Sequence, residues 1–220
     1  MSGNEAPQAK TSHLAGLLET AGLNPIDDRT LAKFEEYLNL LLRWNARTNL
    51  TAIRDPNEIM ARHFVESIAC AQALPAGIAT LLDFGSGAGF PGIPIALCRP
   101  EILVTLGESQ NKKAAFLREA LRGLDLRSRV FMGRAETLSE HFDCVTLRAV
   151  DRMQRAIAMA CGLVDVAGWL AVFTTEESLP SLKFAEDVEV TRTVRLAGSD
   201  EGLIVFAQKN KTPELAVPEG

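Results

Sequence analysis

The sequence contains no Cys-X-X-Cys pair, and its four cysteines, Cys70, Cys98, Cys144 and Cys161, stand far apart in apolar or small-residue surroundings. Histidine is equally sparse, occurring only at His13, His63 and His141. Without clustered soft ligands no metal site or dithiol redox centre is expected, and the cysteines read as buried structural thiols. No apolar run approaches the roughly 18 residues that a membrane-spanning helix needs. The opening MSGNEAPQAKTS is polar and lacks the apolar core of a secretory signal, so a cytoplasmic location and no membrane partner are expected. A positive balance is missing too: the formal net charge is −5, which as a total weighs against a nucleic-acid binder.

The distribution of charge says more than its sum. Residues 112–134 carry seven Lys or Arg against two acids, whereas residues 174–201 carry seven acids against three bases. A basic run of this kind suits a solvated helix face, and it equally suits an anionic partner on one side of the molecule.

With 220 residues, 47% of them hydrophobic, the chain can bury one substantial core and a small added layer. Residues 1–11 read as disordered and 210–220 as a loose tail. From 12 to 78 the pattern is helical. Leu14, Leu17 and Leu18 share one helix face, and Leu31, Phe34, Leu38, Leu41 and Leu42 repeat the spacing behind a cap at Asp27 or Asp28. A third helix is expected over DPNEIMARHFVESIACAQAL, with Asp55 as its N-cap and Pro56 as its first residue.

From 79 to 209 short apolar runs alternate with helical stretches. Strands are expected at 80–84, 102–108, 129–133, 142–149 and 168–175, and helices after the glycine-rich turn, at 112–124, at 153–164 and, more weakly, near 177–187. A terminal strand pair follows at 188–196 and 202–209. The alternation implies right-handed crossovers and a mainly parallel sheet with helices on both faces, preceded by a helical extension.

The densest glycine run, LLDFGSGAGFPGIP at 81–94, follows the first of these strands. In open α/β sheets, ligands sit at the carboxyl ends of the strands. Gly87 to Gly92 fit the dinucleotide pattern G-X-G-X-X-G, which alone is weak. Pro91 weighs against it, because pyrophosphate is held by free N–H groups at a helix start and proline lacks one. A nucleoside cofactor without phosphate instead needs close backbone approach and a carboxylate after the next strand. Glu108 ends ILVTLGE, 19 residues past Gly89, and Asp83 adds negative charge before the loop. Either acid could also serve as a turn cap. The pattern D-X-G-X-G-X-G with this later acid resembles the class I S-adenosylmethionine-dependent methyltransferases, of Rossmann-like α/β fold.

Longer stretches narrow the resemblance. RWNARTNLTAIRDPNEIMARHFVES (43–67), LLDFGSGAGFPGIPIALCRP (81–100), NKKAAFL (111–117), GRAE (133–136) and LRAV (147–150) are similar to the small-subunit ribosomal RNA methyltransferase G family, also called glucose-inhibited division protein B. The resemblance implies transfer of a methyl group from S-adenosyl-L-methionine to N7 of a guanosine in 16S ribosomal RNA, either free or in the small ribosomal subunit. It places Gly85, Gly87, Gly89 and Phe90 along the cofactor, Glu108 on its ribose, and Ala135 and Glu136 at its adenine. Arg148 falls near the methionine end and the target base, making it a catalytic candidate together with Asn49 and His63, which help hold the guanosine. Lys112 and Arg134 are implied RNA contacts.

Each residue also has a structural reading: a turn cap for Asn49, a core or interfacial imidazole for His63, a surface cation for a lone arginine. Guanine N7 presents a lone pair at neutral pH, so no general base is assigned, and replacing Arg148 with alanine is expected to lower turnover far more than stability. The chain departs from the family at Phe173-Thr174-Thr175, where a lysine is usual, and at Asp200-Glu201-Gly202, where a Glu-Arg pair is usual. Two other functions share the fold. The basic run and N-terminal helices weigh against a small-molecule methyltransferase, and the intact glycine loop with Glu108 and Arg148 weighs against a noncatalytic RNA- or ribosome-binding protein.

Overall fold

A computed structural model of the chain describes residues 8–210 apart from Asp151 and Asp200, and gives only the backbone for residues 8–12 and Glu136. Seven strands form one sheet: β1 (Thr80–Phe84), β2 (Leu103–Glu108), β3 (Arg129–Met132), β4 (Phe142–Leu147), β5 (Val164–Thr175), β6 (Val188–Arg195) and β7 (Gly202–Lys209). Their order is β3-β2-β1-β4-β5-β7-β6. The first five strands run parallel, while β7 pairs antiparallel with both β5 and β6. The chain leaves β1 for β2 and β3 on one side, then returns to β4 on the other. That reversal opens a crevice at the carboxyl ends of β1 and β4, where open α/β sheets bind ligands.

Alternation along the strands sorts side chains between two cores. Leu81, Val104, Leu106, Cys144, Ala171, Ile204 and Phe206 face one side. Leu82, Val145, Leu147, Leu170, Val172, Val205 and Ala207 face the other. The first side is covered by α5 (Gly92–Cys98), α6 (Asn111–Gly123) and the whole N-terminal helical layer, the second by α7 (Met153–Leu163). The N-terminal helices therefore share one core with the sheet.

Within that layer, α2 (Asp28–Thr48) begins where the Asp27 carboxylate accepts the Thr30 N–H at 3.0 Å, and it ends at Asn49 in the left-handed region. Asparagine is among the few non-glycine residues that tolerate that conformation, so Asn49 terminates the helix. Its buried face presents Leu31, Phe34, Tyr37, Leu38 and Leu41, each contributing roughly 1.5–3 kcal/mol of transfer free energy if an aromatic or leucine is fully withdrawn from water. Helix α1 (Gln8–Thr20) docks through Leu14 and Leu18, and so residues 8–11, expected to be irregular, are helical. Gln, Ala and Lys there are good helix formers that extend a helix already anchored. Residues 1–7 and 211–220 lie outside the described residues.

The expected third helix forms, capped by Asp55 with Pro56 at its first position, but it is not uniform. It reads α3 (Pro56–Glu58), a π-helical segment (Ile59–Val65) and α4 (Glu66–Ala73). No helix spans 177–187; only a 3₁₀ turn, Leu179–Ser181, is found there. Pro180 withholds an N–H inside that turn, and Leu179, Leu182 and Phe184 instead pack as loop side chains against the second core. Strand β5 starts at Val164 rather than 168, with a register shift opposite Phe142 and Cys144. Among the described residues no helix is long and apolar enough to cross a membrane, and no three His, Cys, Asp or Glu side chains cluster as a metal site.

Candidate active site

The glycine loop turns from β1 into α5 at the mouth of the crevice. Gly85 (φ +74) and Gly89 (φ +93) occupy the left-handed region. A Cβ on Gly89 would lie 2.5 Å from the Ile93 Cδ1 and 2.8 Å from the Tyr37 hydroxyl, so a side chain is excluded twice over. A Cβ on Gly87 would meet only the Gly85 carbonyl at 3.8 Å, which leaves space above the loop for a close-lying ligand. From the N-terminal layer, the fully buried Tyr37 donates its hydroxyl to the Ala88 carbonyl at 2.5 Å. Phe90 packs among Tyr37, Phe64 and His63.

The helix start behind this loop is already occupied from within. Gly92 N–H donates to the Asp83 Oδ2 at 3.1 Å and Ile93 N–H to the Gly89 carbonyl at 2.8 Å. Residues 91–93 thus leave no free N–H for a pyrophosphate, as Pro91 suggested. Asp83 itself differs from its expected role. It is fully buried, also accepts the Thr146 hydroxyl at 2.9 Å, and burial pushes its carboxyl up to about 6 against those hydrogen bonds. Its oxygens hold α5 to the sheet and do not face the crevice as a free charge.

Glu108, at the carboxyl end of β2, is 6% exposed. Its two oxygens accept Gly87 N–H at 3.0 Å and Gln110 N–H at 2.7 Å. A carboxylate has about four lone-pair sites, so each oxygen can accept one more donor. Its own carbonyl accepts Gly133 N–H at 3.1 Å, drawing the next loop alongside. Ala135 and Glu136, the residues the resemblance sets at the adenine, lie in a 3₁₀ turn, Ala135–Thr137, just beyond β3. Ala135 is buried and a Cβ on Gly107 would touch its own Cβ at 3.3 Å, so it walls the same crevice. The Glu136 side chain lies outside the described residues.

Arg148 follows β4 but does not project into open space. Its Nη2 donates to the Glu66 Oε2 at 2.5 Å, the Arg62 carbonyl at 2.7 Å and the His63 Nδ1 at 3.2 Å, and its Nη1 to the Ser67 hydroxyl at 3.1 Å. Phe173 packs against the guanidinium at 5.1 Å. This is a tie between the sheet and the π-helical segment. Because Arg148 donates to Nδ1, the His63 proton sits on Nε2, which contacts the Thr51 hydroxyl at 2.8 Å. Burial, then the charges of Arg148 and Arg62, lower His63 to about 3, so the ring is neutral. It stacks on Phe90 at 4.6 Å.

Asn49 is exposed and joins this group only indirectly. Its Oδ1 accepts from the Arg54 Nη2 at 2.9 Å, and the 49–54 loop reaches His63 through Thr51. Two residues that sequence reasoning missed shape the loop and the tie. Asn45, buried, accepts Thr51 N–H at 3.0 Å and donates to the Ile53 carbonyl at 3.2 Å. Glu66, buried, is bound by Arg62 at 2.9 Å as well as by Arg148. The spacing of Arg62 and Glu66, four apart, was the available signal. Of the five non-glycine residues with positive φ among the described residues, three are Asn49 (48°), Ala149 (50°) and Arg152 (54°), the last two just after Arg148; the others are Asp125 and Ala167.

Lys112 lies exposed in the first turn of α6 and Arg134 exposed just before the 3₁₀ turn, both on the crevice side. The later part of the basic run does not join them. Helix α6 runs back along the sheet for about 20 Å at 1.5 Å per residue. Arg122, Arg127 and Arg129 therefore fall at the opposite end, where Arg129 pairs with Glu140 and donates to Thr105 at 2.9 Å. One sequence run has become two surface regions.

A five-stranded parallel sheet with a reversed β7, a glycine loop after β1 and an acid at the end of β2 define a class I methyltransferase fold. P. horikoshii TYW2 in complex with MeSAdo shares it, with TM-score 0.55 and 15% identity over 68% of this chain and 63% of that one. The chain belongs to the rRNA small subunit methyltransferase G family, whose model matches residues 30–197. Relatives carrying the name Ribosomal RNA small subunit methyltransferase G include one from Xanthomonas campestris pv. campestris (strain B100), 41% identical over 82% of this chain and 88% of the relative. Another, from Roseiflexus sp. (strain RS-1), is 48% identical over 69% of each.

Proposed function

We propose that this chain transfers the methyl group of S-adenosyl-L-methionine to N7 of a guanosine in 16S ribosomal RNA, in the cytoplasm where that RNA is assembled. The observation that carries the reading is the family match over 30–197, which takes in both the glycine loop and the N-terminal layer that grips it. The residues present suit the cofactor: an open glycine cradle at Gly87 and a carboxylate with spare lone pairs at Glu108. When bound, S-adenosylmethionine supplies an electrophilic methyl carbon on a sulfonium.

Glu108 would accept the ribose hydroxyls, with Gly85, Gly87, Gly89 and Phe90 forming the floor and Ala135 and Glu136 the adenine side. Guanine N7 carries its lone pair at neutral pH, so the protein needs no general base and works by alignment. Neutral His63, held between Thr51 and Arg148, and the ordered Asn49–Arg54 loop would shape the guanosine side. Arg148 acts as a positioning residue, setting His63 and the end of β4. Lys112 and Arg134 would meet RNA phosphates.

The test is to incubate the chain and labelled cofactor with small ribosomal subunits from cells lacking its gene, then map the labelled nucleotide. Label at N7 of one 16S guanosine is expected. Label in protein or in a small metabolite would overturn the proposal.

A further inference from the structure

We propose that the groove between the end of α2 and α6 is a second RNA contact, where an unpaired base flanking the methylated guanosine stacks on Trp44. The inference rests on the RNA reading above and extends it to a surface outside the cofactor crevice. The groove has a volume of about 580 Å³ and is lined by Arg43, Trp44, Ala46, Arg47, Thr48 and Glu119. That is large enough for one base.

Trp44 is half-buried and held in place before any ligand arrives. Its indole N–H donates to the Glu119 Oε2 at 3.1 Å, and the ring meets Phe116 edge-on at 5.8 Å and 64°. A ring fixed in this way loses little entropy on stacking. Arg43 and Arg47 are exposed, four residues apart on the same helix face, and both border the groove. A fixed aromatic flanked by cations is the combination that binds single-stranded nucleic acid, with stacking on the base and charge on the backbone. The cations stand out because the chain as a whole carries a net −5. Glu119, whose carboxylate accepts the indole N–H, offsets one of the two charges, so the groove lining keeps one net positive charge.

The position fits as well. Rings at Trp44, Phe116, Tyr37 and Phe90 follow one another at 5.8, 6.4 and 5.5 Å, ending at the glycine loop. A few nucleotides of single strand bridge such a span. The helix carrying Arg43 and Arg47 also runs directly into Asn49.

Two measurements on the full chain decide the matter. In a Trp169→Phe background Trp44 is the sole tryptophan, and a single-stranded oligoribonucleotide copied from the methylated segment is expected to quench its emission. The double variant Arg43→Glu/Arg47→Glu is expected to raise KM for RNA at least tenfold and to flatten the log–log salt dependence by about 1.4. Its kcat at saturating RNA, its cofactor affinity and its thermal midpoint are expected to match the parent. Unchanged KM and unquenched Trp44, in a parent that methylates the RNA, would overturn the contact. Quenching as strong by an acidic polypeptide would overturn its assignment to RNA. A parent that binds cofactor but leaves small ribosomal subunits from cells lacking its gene unmethylated would remove the proposed function, and this contact with it.

Discussion

Replacing Arg148 with alanine separates a residue that acts on ligand from one that holds the fold. The guanidinium is 12% exposed and its partner Glu66 carboxylate 6% exposed. Removing one member of a buried ion pair costs about 3–5 kcal/mol, because the remaining charge stays buried. Here Arg62, half exposed, keeps one Glu66 oxygen at 2.9 Å and softens the loss. The expected destabilisation is therefore near the lower end, about 3 kcal/mol. In a chain of this size that lowers the thermal midpoint by about 6–12 °C. The donors to Arg62, His63 and Ser67 vanish at the same time, so the ring of His63 loses the bond that orients it.

Urea unfolding of Arg148→Ala, Arg148→Lys, Glu66→Gln and the Arg148→Ala/Glu66→Gln double variant measures this directly. Lysine keeps the charge but not the fork, and an intermediate loss of about 1–2 kcal/mol is expected. The double-mutant cycle is expected to show a coupling of about 2 kcal/mol. Single-turnover methylation of the folded fraction then reports what remains of the chemistry. An Arg148→Ala protein with parental stability, no coupling to Glu66 and lost turnover would refute the structural role. It would restore the expectation drawn from sequence, that this arginine serves turnover far more than stability.

Glu108→Gln replaces an acceptor by a donor beside the Gly87 and Gln110 N–H groups. Loss of about 1.5–3 kcal/mol of charged hydrogen bonding is expected to weaken cofactor binding roughly 10- to 100-fold by calorimetry, and a change under twofold would count against the ribose assignment. Tyr37→Phe keeps the ring packing and removes only the bond to the Ala88 carbonyl. A loss of about 1 kcal/mol in stability is expected, with faster amide exchange at 86–90 and several-fold weaker cofactor binding; parental exchange there would show the bond to be idle. Asp83 and His63 oppose each other in acid. His63, lowered from 6.5 to about 3, gives stability above pH 6.5 that is lost as pH falls. Asp83, raised from 3.8 to about 6, gives stability below pH 3.8 that is lost as pH rises through 6. Between pH 7 and 4 each change amounts to about 3 kcal/mol at 1.36 kcal/mol per pKa unit, with opposite sign. Asp83→Asn is therefore expected to lose more stability than the parent on going from pH 7 to 4 in urea titrations, and an equal loss would refute the linkage.

The sheet was legible because parallel strands buried on both faces appear as short apolar runs, as in TLLDF and ILVTLGE. The same logic failed at 177–187, where Leu179, Leu182 and Phe184 have helical spacing but serve a loop interrupted by Pro180. At the site, Glu108 was placed correctly at the end of its strand by spacing from the glycines. The protein partners of Asp83 (Thr146 and Gly92) and of Arg148 (Glu66 and Ser67) were not legible, since burial and long-range pairing are invisible in a linear pattern. The basic run misled for a geometric reason: 23 positions that traverse a helix from end to end cannot share one end of the molecule.

The π-helical segment explains why the N-terminal layer belongs to the site rather than beside it. A π turn adds a residue to the helix and shifts every later side chain around its axis, and such bulges recur at functional places. In this helix it spans Ile59–Val65, so Phe64 and His63 both reach Phe90 while the Arg62 carbonyl turns toward Arg148. A regular helix through the same residues would carry His63 off the line that joins Thr51 to Arg148. The glycine loop is thus gripped from above by Tyr37 and Phe64 and from the side by His63, while β1 contributes only its root. Contacts of this kind join the 49–54 loop to the glycine loop through packed groups. A change in the 49–54 loop then has a physical path to Phe90 through Thr51 and His63, without any residue reaching across the crevice.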